Sequence, residues 1–191
     1  MALSVLTRDP VRYVTEDDFL ASDEWDGYEL IDGVPAEGDM SGLSSWVGGE
    51  IHGRIRDHLK AHRGGVLFPP DAIFKAWPER PDHLRKADSM YYMPGRLDGD
   101  RPPDGTLSEA PDLAVEVLSP TDKARELNLK INEYLAAGVR LIWLVHPETR
   151  TVQILRANGQ DSHIGPDDTL TGEDVLPGFE VRVADLFPAT D

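Results

Sequence analysis

A single acidic residue interrupts an apolar segment in the second half of the chain. The segment runs from Leu113 to Leu118, lies between Pro111 and Pro120, and is otherwise entirely apolar. This pattern is typical of a strand covered on both faces, and the segment is too short for an independent helix. Glu116 lies inside it, and burying a carboxylate costs free energy unless a cation, a metal ion or a proton compensates the charge. The sequence therefore predicts that such a partner lies close to Glu116.

The composition is typical of a globular chain. Its 191 residues are 40% hydrophobic, which is enough for a substantial core. We expect residues 15–191 to form a single domain after an N-terminal extension, residues 1–14. The chain contains no cysteine, which excludes disulfides and thiolate metal sites. It lacks an apolar run of about 20 residues and the apolar core of a signal peptide. We therefore expect a cytosolic protein that does not enter a membrane.

The charge of the chain disfavours one class of function. The formal net charge is -16, whereas nucleic-acid binders are usually basic because they neutralise phosphates. Acidic residues crowd the first 40 positions, and basic residues cluster later, so a local basic face is compatible with the sequence. Arg80, Arg85 and Lys86 are either a phosphate-binding patch or solubilising loop charges. The overall charge argues against tight nonspecific binding of DNA.

The first half of the chain is expected to contain a short helix, a hairpin, a long helix and three short strands. Asp32-Gly33 favours a type I′ turn between the hairpin strands, and apolar residues at every fourth position indicate the long helix. The predicted elements are a helix from a Thr15 cap to about Ala21, strands Tyr28–Ile31 and Val34–Ala36, a helix from Ser44 or Ser45 to about Arg63, and strands Val66–Phe68, Ala72–Phe74 and Lys86–Tyr92.

The second half predicts a strand–helix–strand unit over residues 113–145. Such a unit is a right-handed crossover that places its two strands parallel in one sheet. The predicted elements are a long surface loop over residues 94–109, the strand around Glu116, a helix from a Thr121 or Asp122 cap to Ala137, strands Arg140–Val145 and Thr151–Leu155, and a strand and turn in the tail from Leu176 to Phe187. The elements together indicate one α/β domain.

Two carboxylates and one lysine form the strongest candidate site. Asp88 lies in the strand predicted before that of Glu116, and two carboxylates with a backbone carbonyl and waters suit the oxygen-seeking ion Mg²⁺. Lys130 lies at the border of the helix stripe that covers the sheet. From there its ammonium reaches the end of the Glu116 strand, where it would orient a water and offset charge in a transition state. A metal ion with a lysine is a recurring means of hydrolysing phosphodiesters.

Structural roles remain alternatives for each of these residues. Glu116 is also compatible with a buried ion pair to an arginine or lysine. Asp88 would face solvent if it lies at a strand end, and Lys130 is one helical turn from Glu126, a spacing at which ion pairs form on a helix surface. Asp112 is expected to cap the loop that leads into the strand.

The order and spacing of these residues resemble the Uma2 family, proteins of the PD-(D/E)XK nuclease superfamily. The resemblance extends over roughly residues 15–188. It is carried by Tyr28-Glu29-Leu30-Ile31-Asp32-Gly33, Lys86-Ala87-Asp88, Ala110 to Leu113 with Val115 to Pro120, Glu126, Lys130 and Tyr134, Gly138-Val139 with Ile142 to Val145, and Leu176-Pro177-Gly178-Phe179.

The resemblance implies a restriction-endonuclease-like fold with a central mixed β-sheet flanked by helices. It makes Asp88 and Glu116 the ligands of Mg²⁺ or Mn²⁺, with the backbone carbonyl of Val117 as a further ligand. The lysine that the superfamily places two residues after the second acid is Leu118 here, and Lys130 on the following helix takes its place.

Two further positions of the family pattern bear on the site. Glu50, on the first long helix, matches the position where many superfamily members carry an additional acid, although it also has Arg54 as a partner one turn away. The proline that usually precedes the first acid is Ala87 here, a change in strand shape and not in ligand chemistry.

Two hypotheses for function follow. The first is a metal-dependent DNA endonuclease, expected to act as a homodimer because nucleases of this class often dimerise to cut two strands, with edge strands such as Val34–Ala36 available for pairing. The second is a catalytically inactive protein of the same fold that acts as a nucleic-acid-binding or protein-interaction module. A third hypothesis is a metal-dependent hydrolase of a smaller phosphate ester. The acidic charge disfavours such a substrate less than it disfavours duplex DNA.

Overall fold

The computed structural model of the chain describes residues 12–38, 40–62 and 64–189. Most of the predicted N-terminal extension, residues 1–11, lies outside them. The helices are α1 (Glu16–Leu20), α2 (Gly42–Ala61) and α3 (Ala124–Ala136). The strands are β1 (Tyr28–Ile31), β2 (Val34–Glu37), β3 (Val66–Phe68), β4 (Ser89–Tyr92), β5 (Leu113–Val117), β6 (Leu141–His146), β7 (Thr151–Arg156), β8 (Ser162–Ile164), β9 (Thr169–Thr171) and β10 (Glu180–Arg182). Short 3-10 turns occupy Asp23–Trp25, Asp98–Asp100 and Val183–Leu186.

A six-stranded mixed sheet forms the centre of the fold. Its strand order is β3-β4-β5-β6-β7-β8, so that β5, the strand of Glu116, is an interior strand. β5 and β6 are parallel, and the other neighbours in this sheet are antiparallel. The parallel pair is joined through α3, which confirms the predicted crossover over residues 113–145. The mixed α/β fold class inferred from the sequence is therefore confirmed.

The two faces of β5 pack against different elements because successive side chains of a strand point to opposite faces. Leu113, Val115 and Val117 belong to a core cluster with α2 and the C-terminal segment. Ala114 belongs to a second cluster with Ile131 and Tyr134 of α3. The alternation places the Glu116 side chain on the face of α3.

The hairpin before α2 forms as predicted. β1 and β2 pair antiparallel, and Asp32 and Gly33 both have positive φ, 50° and 79°, as a type I′ turn requires. On its other side, Leu30 of β1 exchanges main-chain hydrogen bonds of 3.1 and 2.7 Å with Leu84. Among the described residues, β2 pairs with β1 alone and is therefore the free edge of the pair, which agrees with the position of Pro35.

Several predicted boundaries are wrong, and most of the errors concern side chains that bind elsewhere. α2 is capped by Ser41, whose hydroxyl accepts from the amide of Ser44, while the Ser44 hydroxyl donates to the Leu118 carbonyl at 2.8 Å. Neither Thr121 nor Asp122 caps α3. Asp122 instead accepts from the amide of Ser119 at 2.7 Å, and α3 begins two residues later, at Ala124.

Two predicted strands also differ from the structure. Residues 72–74 form isolated bridges through Phe74 to Arg85 and Leu107 rather than a strand. β4 begins at Ser89, so Lys86, Ala87 and Asp88 precede it. Strands β8 and β9 were not expected from the sequence. Within the part of the chain that the structure describes, no helix is both long and apolar enough to span a bilayer.

Candidate functional site

Glu116 has two partners on α3. Its side chain is 10% exposed. Lys130 donates from Nζ to Glu116 Oε2 at 3.0 Å, and the Tyr134 hydroxyl lies 2.7 Å from Glu116 Oε1. Lys130 and Tyr134 are one helical turn apart, so both side chains reach the sheet from the same face of α3. Of the three partners that the sequence allowed for Glu116, a cation, a metal ion or a proton, the structure contains a cation, Lys130.

The Tyr134 hydroxyl serves two acceptors with one proton. It lies 2.6 Å from the Lys86 carbonyl as well as 2.7 Å from Glu116 Oε1. When its proton goes to the carbonyl, which can only accept, the contact with Glu116 requires a proton on the carboxyl group. The same contact is satisfied by an ionised Glu116 when the tyrosine proton turns toward it. Tyr134 therefore fixes the position of Glu116 in either protonation state.

Asp88 lies immediately before the first residue of β4, beside β5. The amide of Val117 donates to Asp88 Oδ2 at 2.6 Å, and the amide of Asp88 donates to the Val115 carbonyl at 2.9 Å. The carboxylate thus takes an amide that would otherwise pair with a neighbouring strand, which explains why β4 starts only at Ser89. The N–H and C=O of one strand residue point to the same side. The carbonyl of Val117 therefore lies on the Asp88 side of β5, as the prediction of a third ligand requires.

Burial changes the pKa of all three ionisable groups of the site. It raises the pKa of Glu116 to about 7, even though Lys130 lowers it. Burial also raises the pKa of Asp88, although the hydrogen bond from the Val117 amide acts in the opposite direction. Burial lowers the pKa of Lys130, but the neighbouring carboxylates Glu116 and Glu29 outweigh this and keep it above its ordinary value. One ammonium therefore does not compensate both acids, and their charged forms favour a further cation.

The donors fit a hard divalent ion. Asp88 and Glu116 line one cavity of about 300 Å³ together with Val117 and Lys130. Among residues 12–38, 40–62 and 64–189 no group of three or more histidine, cysteine or acidic side chains is placed to hold a metal. Two carboxylates with a carbonyl nevertheless match Mg²⁺, which usually keeps several waters and takes one or two protein carboxylates.

A second cavity of about 570 Å³ extends from Glu116 and Lys130 toward the hairpin and the start of α3. Acidic side chains outnumber basic ones around both cavities. The charged residues that line one or both are Glu29, Glu37, Asp71, Asp88, Glu116, Asp122 and Glu126, against Arg85, Lys86, Lys123 and Lys130. The cleft itself therefore repels phosphates unless a bound cation reverses its charge.

Glu29, for which the sequence predicts no role of its own, joins the site from β1. Glu29 Oε1 lies 3.4 Å from Lys130 Nζ and accepts from the amide of Lys86 at 2.8 Å. Its Oε2 accepts from Arg85 at 3.1 Å. Glu29 belongs to the segment Tyr28–Gly33 that carries the family resemblance. No spacing rule connects that segment to Lys130, because the contact spans about 100 positions of the chain.

Other sequence-predicted residues take structural positions. Glu50 pairs with Arg54 at 2.8 Å and lines a separate cavity beside Phe179, so the structure does not bring it to Asp88 and Glu116. Glu126 pairs with Lys123 at 3.0 Å and not with Lys130. Asp112 accepts from the amide of Met93 at 2.9 Å and so fastens the loop before β5.

Two of the three residues of the predicted basic cluster, Arg80 and Arg85, are paired with carboxylates. Arg85 is buried and binds both Glu29 and Glu133, and its Nε donates to Glu133 Oε2 at 2.9 Å. Arg80 donates to Asp32 at 2.6 Å and to Glu133 at 2.9 Å. These guanidinium groups connect the hairpin to α3 and so hold two walls of the cleft together.

Tyr134→Phe tests the role of the tyrosine in placing Glu116. The change leaves the Lys86 carbonyl and Glu116 without a buried hydroxyl, and we expect it to lower the free energy of unfolding by about 1–3 kcal/mol. Denaturant unfolding of the two proteins measures this difference. Tyr28→Phe is a matched control because Tyr28 lies outside this pair of contacts. An equal loss in both variants would contradict the assigned role.

Comparison with known proteins shows the fold and the family of the chain. The chain is similar to a solved structure titled "Crystal structure of a putative nuclease belonging to DUF820", from Anabaena variabilis, with a TM-score of 0.73 and 23% identity. The similarity covers 91% of this chain and 97% of that chain, and it concerns the fold. No curated protein matches the chain. The model of the Uma2 family, described as "Putative restriction endonuclease", matches residues 17–184, and the chain therefore belongs to the Uma2 family.

Proposed function

We propose that the protein is an endonuclease that hydrolyses phosphodiester bonds of DNA with Mg²⁺ or Mn²⁺. The observation that carries the proposal is the convergence of Asp88, Glu116 and Lys130 on one cavity. The description of the Uma2 family supports a nuclease function. Metal dependence and the assignment of the two carboxylates are inferences from the donor chemistry.

Each residue of the site would have a different role in hydrolysis. Asp88, Glu116 and the Val117 carbonyl would hold the ion, which supplies Lewis-acid polarisation of the phosphate and a nucleophile at neutral pH. Lys130 would donate hydrogen bonds to the attacking water and to a phosphate oxygen, and so offset the charge that develops there. Tyr134 would keep the Glu116 carboxylate in place. The rigid interior strand β5 keeps these groups in register.

The acidic cleft bears on which substrate is bound. The protein carries a net charge of -16, and the cleft walls are also acidic, so duplex DNA is repelled until a cation is bound. This charge favours, as a second candidate, hydrolysis of a smaller phosphate ester. Both candidates use the same two carboxylates and the same lysine.

The test is metal-dependent cleavage by the wild type and an Asp88→Asn variant. Each protein would be incubated with Mg²⁺, Mn²⁺ or EDTA and one of four substrates. These are supercoiled plasmid, a labelled single-stranded oligonucleotide, a labelled duplex oligonucleotide and a diester of p-nitrophenol. We expect cleavage of DNA only with metal and a loss of on the order of a thousandfold for Asp88→Asn. Glu50→Gln is a matched control because it removes an acid that pairs with Arg54 outside the cavity. No metal binding and no cleavage would favour the inactive-module alternative, and cleavage of the small diester alone would favour the second candidate.

Two copies of the protein are also expected to associate. We propose a homodimer, since β2 is a free edge of the hairpin and pairing of two subunits would allow both strands of a duplex to be cut. Light scattering on the purified protein tests this directly. A monomer at all concentrations would contradict the dimer without affecting the assignment of the site.

The affinity for Mn²⁺ is expected to depend on pH through Glu116. Since burial raises the pKa of Glu116 to about 7, a proton competes with the ion below that pH. We expect the affinity to fall by up to about tenfold per pH unit as the pH is lowered through this range, and to level off above it. Calorimetry at about pH 6 and about pH 8 measures the change. An affinity that does not vary with pH would contradict Glu116 as a ligand.

A further inference from the structure

Lys130 lies between two carboxylates, and only one of them is a candidate metal ligand. Its ammonium is 3.0 Å from Glu116 Oε2 and 3.4 Å from Glu29 Oε1. The side chains of Lys130 and Glu29 are 18% and 16% exposed, so the contact is largely shielded from solvent. The Coulomb attraction between two charges at this distance is larger when they are shielded from solvent than when they lie on the surface.

Glu29 is held in place independently of Glu116. The amide of Lys86 donates to Glu29 Oε1 at 2.8 Å, and Arg85 donates to Oε2 at 3.1 Å. Burial raises the pKa of Glu29, but Lys130 and Arg85 outweigh this and hold it below its ordinary value. Glu29 is therefore an ionised, fixed acceptor at the side of Lys130.

Metal binding would change the surroundings of Lys130. A Glu116 carboxylate that binds a divalent ion has less negative charge for Lys130, and the ion itself repels the ammonium. Without a second anion, the Lys130 ammonium would move away from the cleft. Glu29 supplies that anion, at a position set by the main chain of Lys86.

We propose that Glu29 is a positioning residue, which keeps the Lys130 ammonium at the cleft when Glu116 turns to the metal. The inference rests on the proposed function for its catalytic consequence, but the contact itself can be tested without turnover. Glu29 acts through Lys130 and does not touch the phosphate.

Glu29→Gln is the variant that tests the role. Glutamine keeps the length of the side chain and an oxygen for the Lys86 amide, but it removes the charge beside Lys130. Glu133→Gln is the matched control, because Glu133 is the other carboxylate of Arg85 and, among the described residues, forms no ion pair with Lys130. Thermal unfolding of both variants reports the loss that comes from the Arg85 network alone.

The first measurement is cleavage of a labelled oligonucleotide in the presence of Mn²⁺. We expect Glu29→Gln to lower kcat by roughly tenfold to a hundredfold with nearly unchanged KM and Mn²⁺ affinity. Glu133→Gln should keep kcat close to that of the wild type at temperatures where it is folded. Equal kcat values for Glu29→Gln and Glu133→Gln, or a loss confined to KM, would overturn the proposal.

The second measurement does not depend on activity. Trace acetylation with acetic anhydride, read for the Lys130 peptide by mass spectrometry, reports whether the ammonium is held between its partners. We expect acetylation of Lys130 in metal-free Glu29→Gln to be roughly tenfold faster than in the wild type or Glu133→Gln. Equal rates in all three proteins would overturn the proposal. If the wild type neither binds Mn²⁺ nor cleaves DNA, the proposed function fails, while the acetylation rates still decide whether Glu29 holds Lys130.

Discussion

Glu116→Gln is expected to remove metal-dependent cleavage almost completely. The amide keeps the shape of the side chain and its contact with Tyr134, but it is a poor ligand for a hard divalent ion. The bound ion supplies several kcal/mol of charge stabilisation, so its loss corresponds to a fall in kcat/KM on the order of a thousandfold or more. Initial rates on a labelled oligonucleotide with Mn²⁺, together with calorimetry for the ion, measure both effects.

The stability of the same variant gives an independent check. Burial raises the pKa of Glu116 to about 7 from 4.5. The fold therefore favours the neutral acid, and this contribution to stability is fully present below about pH 4.5 and is lost as the pH rises through about 7. Glu116→Gln removes this dependence. The free energy of unfolding of the variant should thus rise relative to that of the metal-free wild type between about pH 5 and about pH 8. In the cleavage assay, undiminished activity of Glu116→Gln would contradict the assignment of Glu116 as a metal ligand.

Lys130→Met is expected to have the second largest effect, with a different pattern. Methionine keeps most of the length of the side chain and removes the ammonium that is 3.0 Å from Glu116. The loss of a donor aimed at developing charge typically costs about a hundredfold to a thousandfold in kcat. Metal binding should persist, since the carboxylates remain and a competing cation is gone. Calorimetry and single-turnover cleavage with saturating Mn²⁺ separate the two quantities.

The contrast between these two variants distinguishes a catalytic lysine from a structural one. A structural lysine would only balance Glu116, so that Mn²⁺, which supplies the missing charge, would restore full activity to Lys130→Met. If the lysine is catalytic, Lys130→Met remains inactive even when the variant is folded and the metal is bound. Lys123→Met is the matched control, because Lys123 is exposed at the start of α3 and its ion-pair partner within the described part of the chain is Glu126. Recovery of wild-type kcat in Lys130→Met with Mn²⁺ would contradict the proposed role.

Local signals were sufficient to predict the elements that position the site. The apolar run around Glu116 forms an interior strand. The buried Glu116 carboxylate pairs with a cation, Lys130. The crossover followed because strand, helix and strand occur in order over residues 113–145. Asp32-Gly33 determined the hairpin because few residue pairs adopt two successive positive φ angles.

The sequence did not predict the features that depend on contacts between distant segments. Ser44 was expected to cap α2, but its hydroxyl binds Leu118, a partner that becomes available only when α2 packs on the sheet. Asp88 was expected inside a strand, but its carboxylate takes the Val117 amide and ends the ladder. The contact of Glu29 with Lys130 depends on the hairpin folding against α3 through Arg85. Propensities and periodicities report local geometry and carry no information on such pairs.

The central claim is that Asp88, Glu116 and the Val117 carbonyl form a single site for a divalent ion. Its most direct test is a crystal of the protein grown or soaked with Mn²⁺ and measured at a wavelength where manganese scatters anomalously. We expect one anomalous peak in the cavity of about 300 Å³, within coordination distance of both carboxylates and the carbonyl, with Lys130 still held at Glu29. No peak there at millimolar Mn²⁺, with Glu116 still bound to Lys130, would contradict it.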